Sequence, residues 1–475
     1  MKKLSADYET NVRIIDGALR VSESFDVLKK TLAVGRDELT FYYIDGFIKD
    51  GVMSKLMLSF VALKGLGKPS KEAVNDFVKN CAAYVETDIC ESVDLMTQMV
   101  LSGAALVLGS SFEESAVIID ARTYPARSVA EPQNDRVMLG ARDGFVESLI
   151  FNTALIRRRI RDTALTMKHF TIGRRSKTDV ALCYIDGLAD ADYVRELGKK
   201  LNSIDTDAIA LGHQSLSECL IKTRWYNPFP KIRTTERPDT AAAQLLEGGV
   251  MIIVDNSPEV MMLPTTIFEF MQETNDYYFP PLTGSFLRVV RQAIMLLTVL
   301  LTPVWFLMTK NPESVPAWLQ FALPEEVGKI PILAQLLLVE FVIDGLRMAS
   351  MNTPDMLSNS LSVVGGLILG DFAIQIGWLI PEVILYMAFV SIANFSQRNY
   401  QLGYAFKFMR MILLVLVALL DLYGLLFGIA LVIALVATNK TVNGKRSYLY
   451  PLIPFSAKGM AALFFRVKKN DVNTK

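Results

Sequence analysis

Apolar and polar positions alternate in two different rhythms along this chain. Up to about residue 285 the apolar positions come in short runs separated by polar breaks, and from residue 292 onward they merge into long blocks. In the first part, Val12, Ile15, Leu19 and Leu28 make an intermittent apolar face that predicts one or two amphipathic helices within residues 1–37. Residues 39–44 read as a strand ending in Asp45-Gly46, residues 52–63 as a helix broken by Gly65–Pro69, residues 74–106 as helical, and residues 116–119 as a short strand ending at Asp120. The order then recurs. Residues 180–185 are strand-like and end in Asp186-Gly187, residues 193–201 are helical, and residues 250–254 form an apolar strand ending at Asp255. Tyr43-Ile44-Asp45-Gly46 matches Tyr184-Ile185-Asp186-Gly187 at an offset of 141, Leu56 and Leu197 keep that offset, and Asp120 and Asp255 pair at 135. Two small duplicated α/β subdomains are the expectation.

The second part has the lengths of membrane helices. Residues 292–309 carry no charge and residues 411–437 carry only Asp421, and a helix rising about 1.5 Å per residue crosses a hydrocarbon core of about 30 Å in either run. Arg288 and Arg291 precede the first run, Pro303 is placed to kink it, and residues 311–329, with three prolines and Trp318, read as an interfacial loop. Residues 330–346 hold Glu340 and Asp344 four apart on one helical face, where Arg347 is available as a partner. Two carboxylates facing lipid are costly, so they must face protein, water or a cation. Residues 361–394, interrupted by Asp371, Pro381 and Glu382, predict two segments or a broken helix. Residues 411–437 read equally as one tilted helix or as a tight hairpin around Asp421. The total is four to five crossings, with four favoured by the basic tail.

The expected organisation is an N-terminal α/β subdomain (1–126), a helical connector (127–177), a second α/β subdomain (178–285), an all-α transmembrane bundle (286–440) and a basic tail (441–475). Composition adds limits. The mean hydropathy of +0.31 averages a polar and an apolar part, and the zero net charge argues against a general nucleic-acid binder. The four cysteines stand singly and no metal-ligand spacing appears, so neither zinc nor a cofactor is expected. The N-terminus lacks the apolar core of a secretory signal, which places the polar part in the cytoplasm. Asp-Gly at a strand end makes a turn, and Gly65-Leu66-Gly67-Lys68 is a helix break rather than a phosphate loop. With no Ser/His/Asp arrangement and only His169 and His213, the chain is expected not to be an enzyme. Arg157, Arg158, Arg159 and Arg161 crowd one helix end. They read either as a solvated face or as a docking surface for an acidic partner, a neighbouring subunit or anionic lipid.

Several stretches together resemble one family: Arg142-Asp-Gly-Phe-Val-Glu147, Asn152 to Arg161, Gly173-Arg-Arg-Ser-Lys-Thr178, Thr235-Glu-Arg-Pro-Asp239, Leu245-Leu-Glu-Gly248, Val254-Asp-Asn-Ser-Pro258 and Asp276-Tyr-Tyr278. The chain resembles the GerA family, the A-type subunits of bacterial spore germination complexes, from about residue 38 to residue 440. The short N-terminus and Tyr43-Ile-Asp-Gly-Phe-Ile-Lys-Asp50 point to a relative of the germinant-receptor A subunits. That resemblance implies an integral protein of the spore inner membrane, a second multi-span membrane subunit as partner, a homo-oligomeric ring, and a role in ion release during germination. In a channel of this kind Glu340, Asp344, Asp371, Glu382 and Asp421 are the candidate field-setting groups. A membrane-anchored scaffold or sensor, and a secondary transporter, are the competing expectations.

Overall fold

The computed structural model describes residues 3–80, 86–122, 140–221, 224–273, 275–325, 328–352, 370, 372–397, 399–439, 441–442 and 448–465. The chain folds as two compact units. One comprises Met1–Lys222 and Ile232–Pro264, and the other comprises Thr223–Lys231 and Thr265–Lys475.

The first unit contains the repeat in full. Helix α1 (Tyr8–Leu19), strands β1 (Val27–Val34) and β2 (Asp37–Ile44), helices α2 (Asp50–Val61) and α3 (Lys71–Asn80), strand β3 (Thr87–Cys90), helix α4 (Val93–Leu101) and strands β4 (Ala105–Gly109) and β5 (Ala116–Ile119) make the first copy. Helix α5 (Leu149–Arg159), β6 (Leu165–Ile172), β7 (Thr178–Ile185), α6 (Ala191–Asn202), α7 (His213–Leu220), β8 (Arg233–Thr235), α8 (Pro238–Leu246), β9 (Val250–Val254) and β10 (Val260–Leu263) make the second. The element order is the same, and so is the sheet order: β1-β2-β4-β5-β3 in one and β6-β7-β9-β10-β8 in the other, antiparallel throughout. Alternation along the strands fills both faces of the first sheet. Tyr42, Ile44, Leu106 and Ile118 pack under α1 and α4, while Leu39, Phe41, Val107 and Val117 pack under α2 and α3. In the second sheet Met167, Cys183, Met251 and Ile253 pack under α5 and α8.

Three expectations change here. Residues 140–177 of the expected connector (127–177) are not a separate element, because α5 and β6 open the second repeat and complete its sheet and core, and residues 127–139 lie outside the described residues. Residues 27–34 and 165–172 are edge strands. The pairing of Asp120 with Asp255 fails, since Asp120 follows β5 whereas Asp255 follows β9, the counterpart of β4. The Asp-Gly turns do match: Gly46 and Gly187 take φ of 77° and 78°, the region where a side chain is disfavoured. A Cβ on Gly46 would also press on Ile150 and Ala154 of α5, at 3.1 and 3.2 Å.

The second unit is helical. Helix α9 (Pro281–Lys310) and helix α12 (Tyr400–Ala437) are, among the described residues, long and apolar enough to cross a membrane, with mean hydropathies of 1.8 and 2.6. Between them lie α10 (Ile332–Asn352) and α11 (Pro381–Phe395), and α13 (Ala457–Phe464) follows. Residues 361–369 fall outside the described part. Helix α12 is the tight hairpin of the two readings left open by sequence. Asp421 sits at φ 52°, ψ −127°, and the chain doubles back there. A Cβ on Gly424 would stand 2.0 Å from the Leu416 carbonyl oxygen, and one on Gly428 would stand 2.4 Å from the Leu413 side chain. The arms therefore touch backbone to backbone. Trp305, Leu336, Val383, Met387, Leu413, Val417 and Leu425 form the core between α9, α10, α11 and the hairpin. Because nothing can yield at a backbone oxygen, Gly424→Ala is expected to destabilise the hairpin by about 1–3 kcal/mol. Protease resistance in native membranes measures this, and a variant as resistant as the parent would contradict the close approach.

The helical unit also takes in more chain than residues 286–440. Phe229, Ile267, Phe270, Met271 and Tyr448 join Leu402, Phe406 and Val436 in one core. The Tyr448 hydroxyl donates to the Pro230 carbonyl at 2.6 Å, and burial pushes its pKa up.

Candidate functional site

The feature that asks for an explanation lies inside the second unit. Helix α12 starts at Asn399, whose side chain caps it by accepting from the Leu402 amide. Ten residues on from Tyr400, at about 15 Å from either end of the first hairpin arm, stands Arg410, 2 % exposed. Its Nη2 donates to Glu340 Oε1 at 2.6 Å and its Nη1 to the Thr298 carbonyl of α9 at 2.9 Å. Lys407, one turn away and equally buried, lies 3.3 Å from Glu340 Oε1 and bonds Asp344 Oδ2. Helix α10 thus offers Glu340 and Asp344 on one face, as their spacing requires, and α12 offers Lys407 and Arg410 on the face opposite. Two carboxylates meet two cations. The charge is balanced and three helices are joined.

Beside these four groups is a cavity lined by Met387, Ser391 and Asn394 of α11, with a volume near 10 Å³, the room of a single water. Arg410 Nε and Asn394 Oδ1 are buried there with no hydrogen-bond partner among the described residues. Arg347 does not pair with Asp344 as its position suggested. Its guanidinium lies over the rings of Phe395, Tyr400 and Tyr404, at 5.3, 4.9 and 4.9 Å.

The other expected groups are scattered. Asp421 sits at the hairpin bend, 2.5 Å from Lys310, whose Nζ also donates to the Val417 and Ala418 carbonyls. Lys310 thereby satisfies carbonyls that the end of the first arm leaves open. Glu382 lies half-buried in the first turn of α11, behind Pro381. Asp371 lies outside the described residues. Sequence reasoning missed Lys407, Arg410 and Lys310. The available signal was Lys407 and Arg410 at three-residue spacing, just before an uncharged run, matching two acids at four-residue spacing elsewhere. Arg291 and Arg288 pair with the fully buried Asp276, at 2.8 and 3.4 Å, and Arg291 also meets Glu273 at 3.3 Å, so two acids balance these two flanking arginines inside the unit.

In the first unit the arginines of α5 form a seam between the two repeats. Arg157 is 1 % exposed and grips the equally buried Asp26, Nε to Oδ2 at 2.7 Å and Nη2 to Oδ1 at 3.0 Å. Nη1 donates to the Asp162 carbonyl and Nη2 to that of Leu165, both at 2.9 Å. The Ser24 hydroxyl accepts from the Met167 amide on β6 at 2.9 Å, and the Phe25 amide donates to the Met167 carbonyl at 3.0 Å. A docking role does not extend to Arg157, whose donors are consumed inside the chain. Arg159 pairs with Asp143, Arg161 reaches Ser102 at 3.4 Å, and Arg158 is exposed.

The repeated aspartates are structural as well. Asp186 pairs with Arg20 at 2.8 Å, and Asp255 accepts from the Leu149 amide at the start of α5. Asp45 is half-buried, and burial, followed by the charges of Asp50 and Asp26, raises its carboxyl above the ordinary range against the bond from the Gly46 amide. Gly65 and Gly67 lie in a loop whose Leu66 amide donates to Asp37 at 2.7 Å.

These features can be set beside known proteins. Residues 17–475 match the family model described as Bacillus/Clostridium GerA spore germination protein. Stage V sporulation protein AF of Bacillus subtilis is 39 % identical over 448 residues, 94 % of this chain and 90 % of the relative. The uncharacterized membrane protein YfkQ of the same organism is 30 % identical over 89 % of this chain and 82 % of its own length, and spore germination protein KA is 27 % identical over 94 % and 82 %. Among solved structures, the N-terminal domain of the A subunit of the Bacillus megaterium spore germinant receptor GerK3 matches with a TM-score of 0.40 at 24 % identity, covering 55 % of this chain and 96 % of that domain. With a family model matched over nearly its whole length and the stage V relative at this identity, the chain belongs to the GerA family of spore germination proteins.

Proposed function

We propose that this chain is an integral membrane subunit of a spore germination complex, sited in the spore inner membrane with its N-terminal unit on the core side, and that it passes ions when germination begins. The observation that carries the reading is an inverted distribution of polarity in the helical unit. Leu296, Phe341, Phe389, Leu419 and Phe427 point outward, while Glu340, Lys407 and Arg410 are buried midway along the helices. A water-soluble bundle has no need of that arrangement, whereas a bundle in lipid keeps its charges where protein or water receives them. Assembly follows the family: copies of this chain around a shared path, with a second multi-span subunit alongside. Glu340 and Asp344 are the groups on that path, and Lys407 and Arg410 hold them in the resting arrangement.

A second reading is favoured by the same geometry. The four charges cancel, so the cluster also serves as a lock joining α9, α10 and α12 in a subunit that anchors or senses. Cation flux through reconstituted vesicles separates the two. The Glu340→Gln/Asp344→Asn chain, together with its partner subunit, is expected to lose about tenfold or more of the flux if the carboxylates set the field. Unchanged flux in a folded double variant would leave only the lock.

A further inference from the structure

Trp225 is 96 % exposed, although the segment that carries it is firmly held. Four residues on, Phe229 is buried against Phe406, with ring centroids 6.2 Å apart. Asn227 Nδ2 donates to the Leu435 carbonyl at 3.0 Å, and the Tyr448 hydroxyl holds Pro230. The segment therefore caps the open end of the hairpin's second arm and is fixed there with its indole facing outward. Tyr226, 48 % exposed, meets Trp225 edge-on at 6.0 Å, and Arg224 lies over the Tyr226 ring at 5.9 Å with its Nη1 3.0 Å from the hydroxyl. Burial, and then the charge of the nearby Arg224, hold the Lys231 ammonium below the usual lysine range, and Arg224 itself is exposed. Tyr277 and Phe286, at the same end of α9, are exposed by 50 % and 64 %.

The opposite end has its own outward aromatics. Trp318 and Phe321 are 73 % and 83 % exposed, in a segment tied down by the bond from Trp305 Nε1 to the Ala322 carbonyl at 2.8 Å. Between the two ends run the hairpin arms, residues 400–420 and 422–437, with rises of about 30 Å and 24 Å. That separation is close to the thickness of a hydrocarbon core. Indole and phenol rings favour the boundary on either side of such a core, because their apolar bodies enter it while their polar edges stay wet.

We propose that residues 224–226 are a fixed headgroup anchor, with Trp225 seated at the lipid boundary and Arg224 facing the phosphates of anionic lipids. The proposal rests on the membrane reading above, and it commits that end of the hairpin to the lipid boundary.

The test uses the full chain in vesicles of phosphatidylglycerol and phosphatidylcholine, in two single-tryptophan forms. One keeps Trp225 with Trp305→Phe, Trp318→Phe and Trp378→Phe, and the other keeps only Trp305, which is buried in the bundle. The Trp225 form is expected to show blue-shifted emission, protection from aqueous iodide, and stronger quenching by lipids brominated near the headgroup than near the bilayer centre. Replacing Arg224 by alanine is expected to weaken the dependence on phosphatidylglycerol. Red emission open to iodide overturns the proposal, as does blue emission that no brominated lipid quenches, which would mean that protein covers the ring. Both results leave the membrane reading intact provided the Trp305 form resists alkaline extraction. Extraction of both forms by alkali would remove the membrane reading itself.

Discussion

Replacing Arg157 by alanine is expected to cost the N-terminal unit about 3–5 kcal/mol, enough to consume a large part of an ordinary domain's stability. The magnitude comes from what is left behind. Asp26 stays 1 % exposed without its cation, and the Asp162 and Leu165 carbonyls lose their donor. The exposed neighbour Arg158, changed the same way, is expected to move stability by less than about 1 kcal/mol. Pulse proteolysis of the detergent-solubilised full chain across a urea series reads both. The double variant Arg157→Met/Asp26→Leu separates pairing from position, since a volume-matched apolar pair recovers most of the loss when the penalty is an abandoned charge. If the single variant unfolded at the parent's urea concentration, the seam would not be what joins the two repeats.

That seam explains which parts of the fold could be read from sequence. The turn Tyr43-Ile-Asp-Gly46 and its repeat were legible because the strand, the Gly at positive φ and the following helix keep one spacing in both copies, with α2 and α6 both starting six residues after their Asp-Gly aspartates' strand-end isoleucines, Ile44 and Ile185. Edge strands were not legible. Residues 27–34 and 165–172 carry Lys29, Lys30, Lys168 and His169 at their centres, so they lack both the alternation of a half-buried strand and the apolar run of a central one. Asp120 and Asp255 were mismatched because β5 and β9 are both short and wholly apolar, which leaves nothing local to say which strand of the repeat each one is. In the α5 segment, spacing showed an arginine-rich helix end but not that Ser24 and Asp26 of the first repeat cover it. Burial of Arg157 is a property of the partner surface, which only the tertiary structure supplies.

The helical half obeyed the same division. Glu340 and Asp344 were visible as anomalies, since an apolar block rarely carries acids. Their partners were hidden by an arbitrary edge: Lys407 and Arg410 precede the uncharged run that begins at Met411, although helix α12 extends back to Tyr400. The hairpin was open to either reading because Asp421 and Gly424 are compatible with a straight helix. What decides between the two is the contact of Gly424 with Leu416, eight residues earlier.

Arg410→Leu carries the largest expected effect in that half, a loss of about 3–5 kcal/mol from the helical unit. The guanidinium bridges Glu340 on α10 to the Thr298 carbonyl on α9, so its removal cuts both connections and leaves Glu340 buried with only Lys407, at 3.3 Å. Lys407 cannot serve both acids equally, because it already bonds Asp344. Glu340→Leu alone is expected to be comparably damaging, since Arg410 and Lys407 then share the single, partly exposed Asp344. The double variant Glu340→Leu/Arg410→Leu removes one charge of each sign, keeps the Lys407–Asp344 pair, and is expected to regain most of the stability. Unfolding by increasing detergent denaturant, followed by loss of helical signal, measures the three chains side by side. A double variant no better than either single one would mean that the cluster is not a balanced set of charges. Flux measurements on the restored double variant then carry the functional argument. A folded but non-conducting protein places Glu340 on the ion path, whereas a folded and conducting one confines the cluster to holding α9, α10 and α12 together.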